Sequence, residues 1–353
     1  MTKNQSANAG HGGHDLSIQA TETLVSAKAI IADFFHIDDP AQIVLCQNTT
    51  LALNMGISGL LKPGDHVIIS SMEHNSVSRV VYAAQDVDVT VVSADKEGYI
   101  DPQKVEAAIR NNTVLIVINH ASNVTGSVQD IEAIGEIAKA HHIFFMIDAA
   151  QTAGVVDVFV DKYHIDMLAF AGHKSLYGPL GTGGLYVGKD VPLRPILYGG
   201  TGSQSESAHM PDFMPDMLQA GTLNVPAYAA LSQGVQFVSR YISQIREKEK
   251  FLTERLINGL LNIPNIRILG NPKDRDRVGV VSFLKEGVDS VTLGNDINDQ
   301  YHIAVRAGLH CAYLAHQTIG TEKTGTVRAS MGFYNSKDDI DALLFAVNRL
   351  AKK

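Results

Sequence analysis

Short, nearly continuous apolar runs alternate with amphipathic stretches over the first two thirds of the chain. His66–Ser70, Val87–Ser93, Val114–Asn119 and Ile143–Ile147 are apolar at most positions, the pattern of strands covered on both faces in a parallel sheet. Ile165–Phe170 and Gly184–Val187 read as two further strands, and Ile43–Cys46 is strand-like as well. Leu51–Leu61 spaces its apolar residues as an amphipathic helix and meets a stop signal at Lys62, Pro63, Gly64 and Asp65. Ile131–Ala140 supplies a helix between two strands, as a right-handed crossover requires.

The pattern changes after Pro226. Ala227–Leu261 is a long, largely helical stretch closed by Pro264, with Gly234 and Gly259 arguing against its continuity. Val278–Phe283 and Thr326–Met331 read as strands. A last helix starts at Ser336, an N-cap, and sets Ile340, Leu343, Leu344 and Val347 on one face. The fold class expected is α/β, with a large, mainly parallel sheet in residues 1–230 and a smaller α+β unit in 231–353. The change of character falls near 225–245.

Composition narrows the function. A chain of 353 residues, 45% hydrophobic and 19% charged, is an ordinary globular protein long enough for two domains, or for one large domain with a smaller one attached. Its 29 Lys plus Arg against 37 Asp plus Glu, net -8, argue against a general binder of nucleic acid or anionic membranes. No run of 18 apolar residues offers a membrane span, and the N-terminus lacks a signal-peptide core. The two cysteines, Cys46 and Cys311, are too few for a disulfide framework, so reduced thiols in the cytoplasm are expected. His11 and His14, in the pattern HxGGH, lack a third ligand at zinc spacing, and no metal site is expected.

Ligands of open parallel sheets sit beyond the carboxyl ends of the strands. Asp148 and Gln151 follow one predicted strand, His173 and Lys174 another. His120 and Asn123 follow a third, His74 and Asn75 a fourth. A carboxylate and a lysine converging on one rim suit pyridoxal 5'-phosphate (PLP). The amine forms a Schiff base with the cofactor aldehyde, and the acid keeps the pyridine nitrogen protonated. Asn48, Thr49 and Thr50 open a helix, where backbone amides and the helix dipole favour an anion.

The run AGHKSLYGPLGTGGLYVG (171–188) resembles the cofactor-lysine segment of class V aminotransferases. IDAAQTAG (147–154) and INHASNVTGSV (118–128) resemble that family's ring-nitrogen and substrate-rim segments. VRAGLHCA (305–312) with TVRASMGFYN (326–335) is similar to group II cysteine desulfurases and selenocysteine lyases. The likeness runs in order from about Asn8 to the end. It implies the PLP-dependent transferase fold type I and a homodimer.

Residue by residue, the resemblance makes Lys174 the Schiff-base lysine and proton shuttle. Asp148 becomes the partner of the ring nitrogen, Gln151 of the ring oxygen, and His74 the group stacked on the ring. Thr49, Thr50 and His173 would bind phosphate, and Thr222 in AGTLN (220–224) would reach the phosphate of the partner subunit. Arg328 and Asn123 would take the substrate carboxylate. Arg306 would stand near the active site, and His14 would line the pocket from a loop. Cys311 would attack the sulfur of PLP-bound cysteine, releasing alanine and keeping a persulfide, with His310 and Arg306 as neighbours that suit a thiolate. Packing remains the alternative for Cys311, as it is the expectation for Cys46. The reaction expected is removal of sulfur from L-cysteine, with selenocysteine lyase, C–S lyase, another class V reaction or a degenerate cofactor-binding paralogue as alternatives. The short stretch between Cys311 and Arg328 implies a restricted loop that passes sulfur to an acceptor protein.

The family's LDNAAT-type strand–turn and its helix have no counterpart in this sequence. Residues 1–4 resemble the end of that helix, so either Met1 is internal to a longer protein or the chain is cut. Turnover and dimer stability are expected to suffer. Ala171, where relatives often carry Ser, and His11, where Arg is common, are expected to weaken cofactor or substrate affinity.

Overall fold

Each apolar run of the first two hundred residues becomes a strand, buried in all but the edge strand at Asp88–Val92, and alternate residues of the buried strands serve two different cores. The computed structural model describes residues 7–10, 12–270 and 276–352; His11 and residues 1–4 therefore lie outside the described residues. The chain opens with α1 (Asp15–Phe35), β1 (Ile43–Cys46), α2 (Thr49–Leu60), β2 (His66–Ser70), α3 (Asn75–Ala83) and β3 (Asp88–Val92). Then come α4 (Pro102–Ala107), β4 (Thr113–Asn119), α5 (Ile131–Ala140), β5 (Phe144–Asp148), β6 (Met167–Ala171) and β7 (Gly183–Val187).

These strands form one sheet in the order β1-β7-β6-β5-β4-β2-β3, in which only β7 runs against its neighbours. Ile68, Ile116, Ile118, Phe145, Ile147 and Phe170 face α1 and α5. Val67, Ile69, Leu115, Val117, Met146 and Met167 face α2 and α3. The period of two that runs through continuous apolar stretches thus sorts side chains to opposite faces rather than to core and solvent.

A single helix, α6 (Val225–Leu261, 37 residues), joins this sheet to the rest. It is unbroken through both glycines flagged in the sequence, and the reason is packing. A Cβ on Gly234 would collide with the Leu176 carbonyl, and one on Gly259 with the Leu344 side chain. The glycines allow close approach, which outweighs their weak helix propensity.

The remainder is β8 (Ile266–Leu269), β9 (Val280–Lys285), α7 (Ser290–Tyr301), β10 (Arg306–Gly308), α8 (Tyr313–Ile319), β11 (Thr326–Ser330) and α9 (Lys337–Ala351). The four strands form an antiparallel sheet in the order β10-β11-β9-β8. Leu252, Leu256 and Leu260 of α6 pack with Val281, Phe283, Val327 and the apolar face of α9 into a separate core. Ser336 caps α9 in a reciprocal capping box with Asp339. Position 230 falls inside α6, so the two sheets are joined by a rigid element rather than by a loop.

Among the described residues, no helix is long and apolar enough to cross a membrane. None of their His, Cys, Asp and Glu side chains form a group of three or more placed to hold a metal ion.

Candidate active site

The carboxyl ends of β2, β4, β5 and β6 meet at one rim. Asn119 ends β4 and pairs in register with Asp148, which ends β5. Lys174 follows β6 by three residues, and His74 caps α3 just beyond β2. Across the rim, Asn48 caps α2 by accepting from the Leu51 amide at 2.9 Å, so that Thr49 and Thr50 open the helix. These ends enclose a cavity of about 170 Å³. Thr49, Thr50, His74, Asn123, Asp148, Gln151, His173 and Lys174 all line it. Asn48, the cap residue named from sequence, lines it too, as do Ser76 and Asn119, which were not singled out from sequence. Asn119 and Ser76 belong to strand-end segments already flagged, so their position was the available signal.

The electrostatics follow from burial. Burial lowers the Lys174 pKa; Asp148 opposes the shift, while Arg328 and Arg306 add to it. His74 and His173 are likewise pushed down, chiefly by burial. Burial thus favours the neutral form of the amine and of both imidazoles relative to the same groups in water.

Two arginines stand near enough to Lys174 for their charges to reach it. Arg306 of β10 is the register partner of Arg328 on β11, so like charges face each other across the strand pair. Burial first, then repulsion from Arg306, brings Arg328 down to about 10. Its Nη1 donates to the Asn123 carbonyl at 2.9 Å, and its Nε is buried without a partner. An anion seated between the two guanidinium groups would relieve the repulsion and use the idle donor. The Asn123 side-chain nitrogen is committed to the His310 carbonyl at 2.7 Å. In this arrangement Asn123 holds the loop around Cys311.

Cys311 is exposed and Cys46 is buried. Burial raises the Cys46 thiol to about 12, in keeping with a packing role. The Cys311 sulfur accepts from Arg306 Nη2 at 3.0 Å, and its carbonyl accepts from the Asn75 amide at 2.7 Å, directly beside His74. His310 and Cys311 both take left-handed backbone, with φ of 49° and 59°. That turn drives the His310 ring inward, where it bonds Thr326 Oγ1 at 2.7 Å and burial lowers its pKa to about 3. His310 is therefore neutral, which corrects its expected part as a positive neighbour of the thiol; among the described residues it is Arg306 that donates to the sulfur.

Five expected residues are not among those lining the cavity: Arg306, Arg328 and Cys311, described above, and His14 and Thr222. His14 is exposed, and its Nδ1 caps α1 by accepting from the Ser17 amide at 3.2 Å. Thr222 is exposed in the segment leading into α6. Within one chain neither reaches the cavity lining.

The cavity fits PLP. Thr49 Oγ1 and His173 Nδ1 are buried without partners, beside the first turn of α2, as an anion cradle requires. Lys174 and Asp148 offer the amine and the acid that the aldehyde and the ring nitrogen need.

Sheet order, rim and lysine define a PLP-dependent enzyme of fold type I. The chain belongs to the aminotransferase class-V family, whose model matches residues 1–343. It is 34% identical over 350 residues to a probable cysteine desulfurase of Methanothermobacter thermautotrophicus, covering 97% of this chain and 87% of the relative. The apo structure of a cysteine desulfurase from Thermococcus onnurineus NA1 superposes with a TM-score of 0.90 at 31% identity, covering 99% of this chain and 88% of that one. The cysteine desulfurase CsdA from Escherichia coli gives a TM-score of 0.85 at 27% identity, covering 98% and 88%.

Proposed function

We propose that this protein is a PLP-dependent cysteine desulfurase, converting L-cysteine to alanine and leaving a persulfide on Cys311. Thr49, Thr50 and His173 would hold the phosphate, Asp148 the ring nitrogen, Gln151 the ring oxygen and His74 the ring face. When bound, PLP supplies an electron sink that weakens the bonds to the α and β carbons of an attached amino acid. Arg328, with Arg306 beside it, orients the substrate carboxylate. Lys174, its pKa lowered by burial, accepts and returns protons at the substrate. Cys311 Sγ forms a bond to the substrate sulfur as the carbon–sulfur bond breaks. An acceptor thiolate then attacks the outer sulfur of the persulfide; the sulfur–sulfur bond breaks, the acceptor carries the persulfide and Cys311 leaves as a thiolate. A further reductant thiol frees the sulfur as sulfide while becoming part of a disulfide.

The observation that carries this reading is the groove shared with the cavity. A groove of about 790 Å³ is lined by Cys311 and Arg79, and also by Thr50, His74 and Ser76 of the cofactor cavity. Thr50, His74 and Ser76 are thus a wall common to the groove of the thiol and the cavity of Lys174. Purified protein given PLP, L-cysteine and a thiol reductant is expected to release alanine and sulfide in equal amounts. Tight PLP binding with no alanine formed from cysteine would end the desulfurase reading.

The same reading makes the protein a cytoplasmic homodimer in which Thr222 of one protomer serves the phosphate of the other. Exposed Leu180, Leu197 and Tyr198 support a covered face, and the Gly221 amide ties the Thr222 segment to Gly200 at 2.8 Å. Sedimentation is expected to show twice the chain mass, with Thr222→Ala still dimeric but weaker for PLP. A monomer that binds PLP fully would count against it.

A further inference from the structure

Glu73 lies between the end of β2 and His74 and has no solvent-accessible surface. Its Oε1 accepts from the Ser70 hydroxyl at 2.5 Å and from the Asn119 amide at 2.9 Å. The Asn119 side chain in turn donates to the Met72 carbonyl at 2.8 Å. These bonds staple the carboxyl ends of β2 and β4 immediately beside Asp148, the register partner of Asn119.

The second oxygen, Oε2, is buried and makes no hydrogen bond among the described residues. An ionised carboxylate would leave that oxygen's charge uncompensated in the interior. Asp148 is the charged group whose field reaches Glu73, and its like sign opposes a second ionised acid. His74 and Lys174 at the rim both feel the Asp148 carboxylate, which raises their pKa against the effect of burial, and neither shift is traced to Glu73.

We propose that Glu73 is a positioning residue of the cofactor site: an un-ionised carboxylic acid that staples the strand ends carrying His74 and Asn119, beside the Asp148 carboxylate. Burial, which outweighs the hydrogen bonds from Ser70 and Asn119 and is joined by repulsion from Asp148, raises Glu73 to about 8. The acid then keeps its proton at neutral pH. Two buried carboxyl groups at one site thereby take different jobs, one supplying charge and one supplying shape.

The consequence for PLP rests on the function proposed above; the protonation state is a property of the chain alone. Glu73→Gln keeps the shape with an amide in place of the acid, whereas Glu73→Ala removes the staple. The infrared difference spectrum of wild type minus Glu73→Gln at pH 7 is expected to show the carbonyl stretch of an un-ionised acid. Glu73→Gln should bind PLP within about threefold of wild type, and Glu73→Ala about tenfold or more weakly, the cost of losing buried hydrogen bonds. Absence of the acid band, Glu73→Gln as weak as Glu73→Ala, or Glu73→Ala binding like wild type would each overturn the proposal. Should Glu73→Ala not fold, the infrared band and Glu73→Gln binding still decide it. A wild type that binds no PLP sinks the cofactor reading, while the band independently judges Glu73.

Discussion

Replacing Lys174 by alanine is expected to remove covalent PLP attachment and to lower desulfurase turnover by at least about 10³-fold. The protein should lose the cofactor's visible absorbance on desalting, and borohydride should no longer fix the cofactor to the chain. The cause is local: Lys174 is the amine in the cavity, opposite Asp148 and beneath two arginines. The same burial has a thermodynamic signature in the apoprotein. Lys174 falls below its ordinary value of 10.5 on folding, so the folded chain binds fewer protons than the unfolded one. Its contribution to stability is present above 10.5 and is lost as pH falls through the lower folded value. Lys174→Met should therefore melt higher than wild type at pH 7, with the gap closing toward pH 10.5. Calorimetry of both apoproteins across that range checks it; a gap independent of pH would contradict a buried, depressed lysine.

Replacing Cys311 by alanine is expected to leave the cofactor spectrum intact and to cut alanine and sulfide release by about 10³-fold or more, on the order of 4 kcal/mol of barrier. Cys311 lies outside the small cofactor cavity and touches it only through the shared groove, so its loss spares PLP binding. Mass spectrometry of wild type after cysteine should find one added sulfur on the peptide holding Cys311 and none on that holding Cys46. Alanine release unaffected by the substitution would remove the persulfide route and leave a lyase.

The strands of the large sheet and the ends that carry Asp148, Lys174 and His74 are legible in the sequence, because each is a short apolar run followed by polar residues. Other parts are not. The helix α1 buries Ala20, Leu24, Ala27, Ile31 and Phe35 along one stripe, but alanines among polar residues make a weak signal. The strand β10 has three residues, Arg306–Gly308, and exists because β11 pairs with it. Neither its strand character nor the facing of Arg306 and Arg328 follows from local pattern. His310 looks like a charge beside the thiol when read in line, and only the left-handed turn hides it. Glu73 passes in sequence for one more polar strand-end residue; its burial comes from three-dimensional packing of Ser70 and Asn119 around it.

The helix α6 carries a mechanical consequence. At 1.5 Å per residue its 37 residues make a rod of about 55 Å. Gly234 seats this rod on the backbone just after Lys174, and Leu252 to Leu260 seat its far end on the sheet that bears Arg328. Lysine and arginine are thus mounted on one girder, and the span between them cannot widen freely as it would across a loose tether. Admission of an amino acid then falls to local rearrangement of side chains and short loops, and a hinge engineered midway along the girder should loosen substrate grip before it disturbs either end.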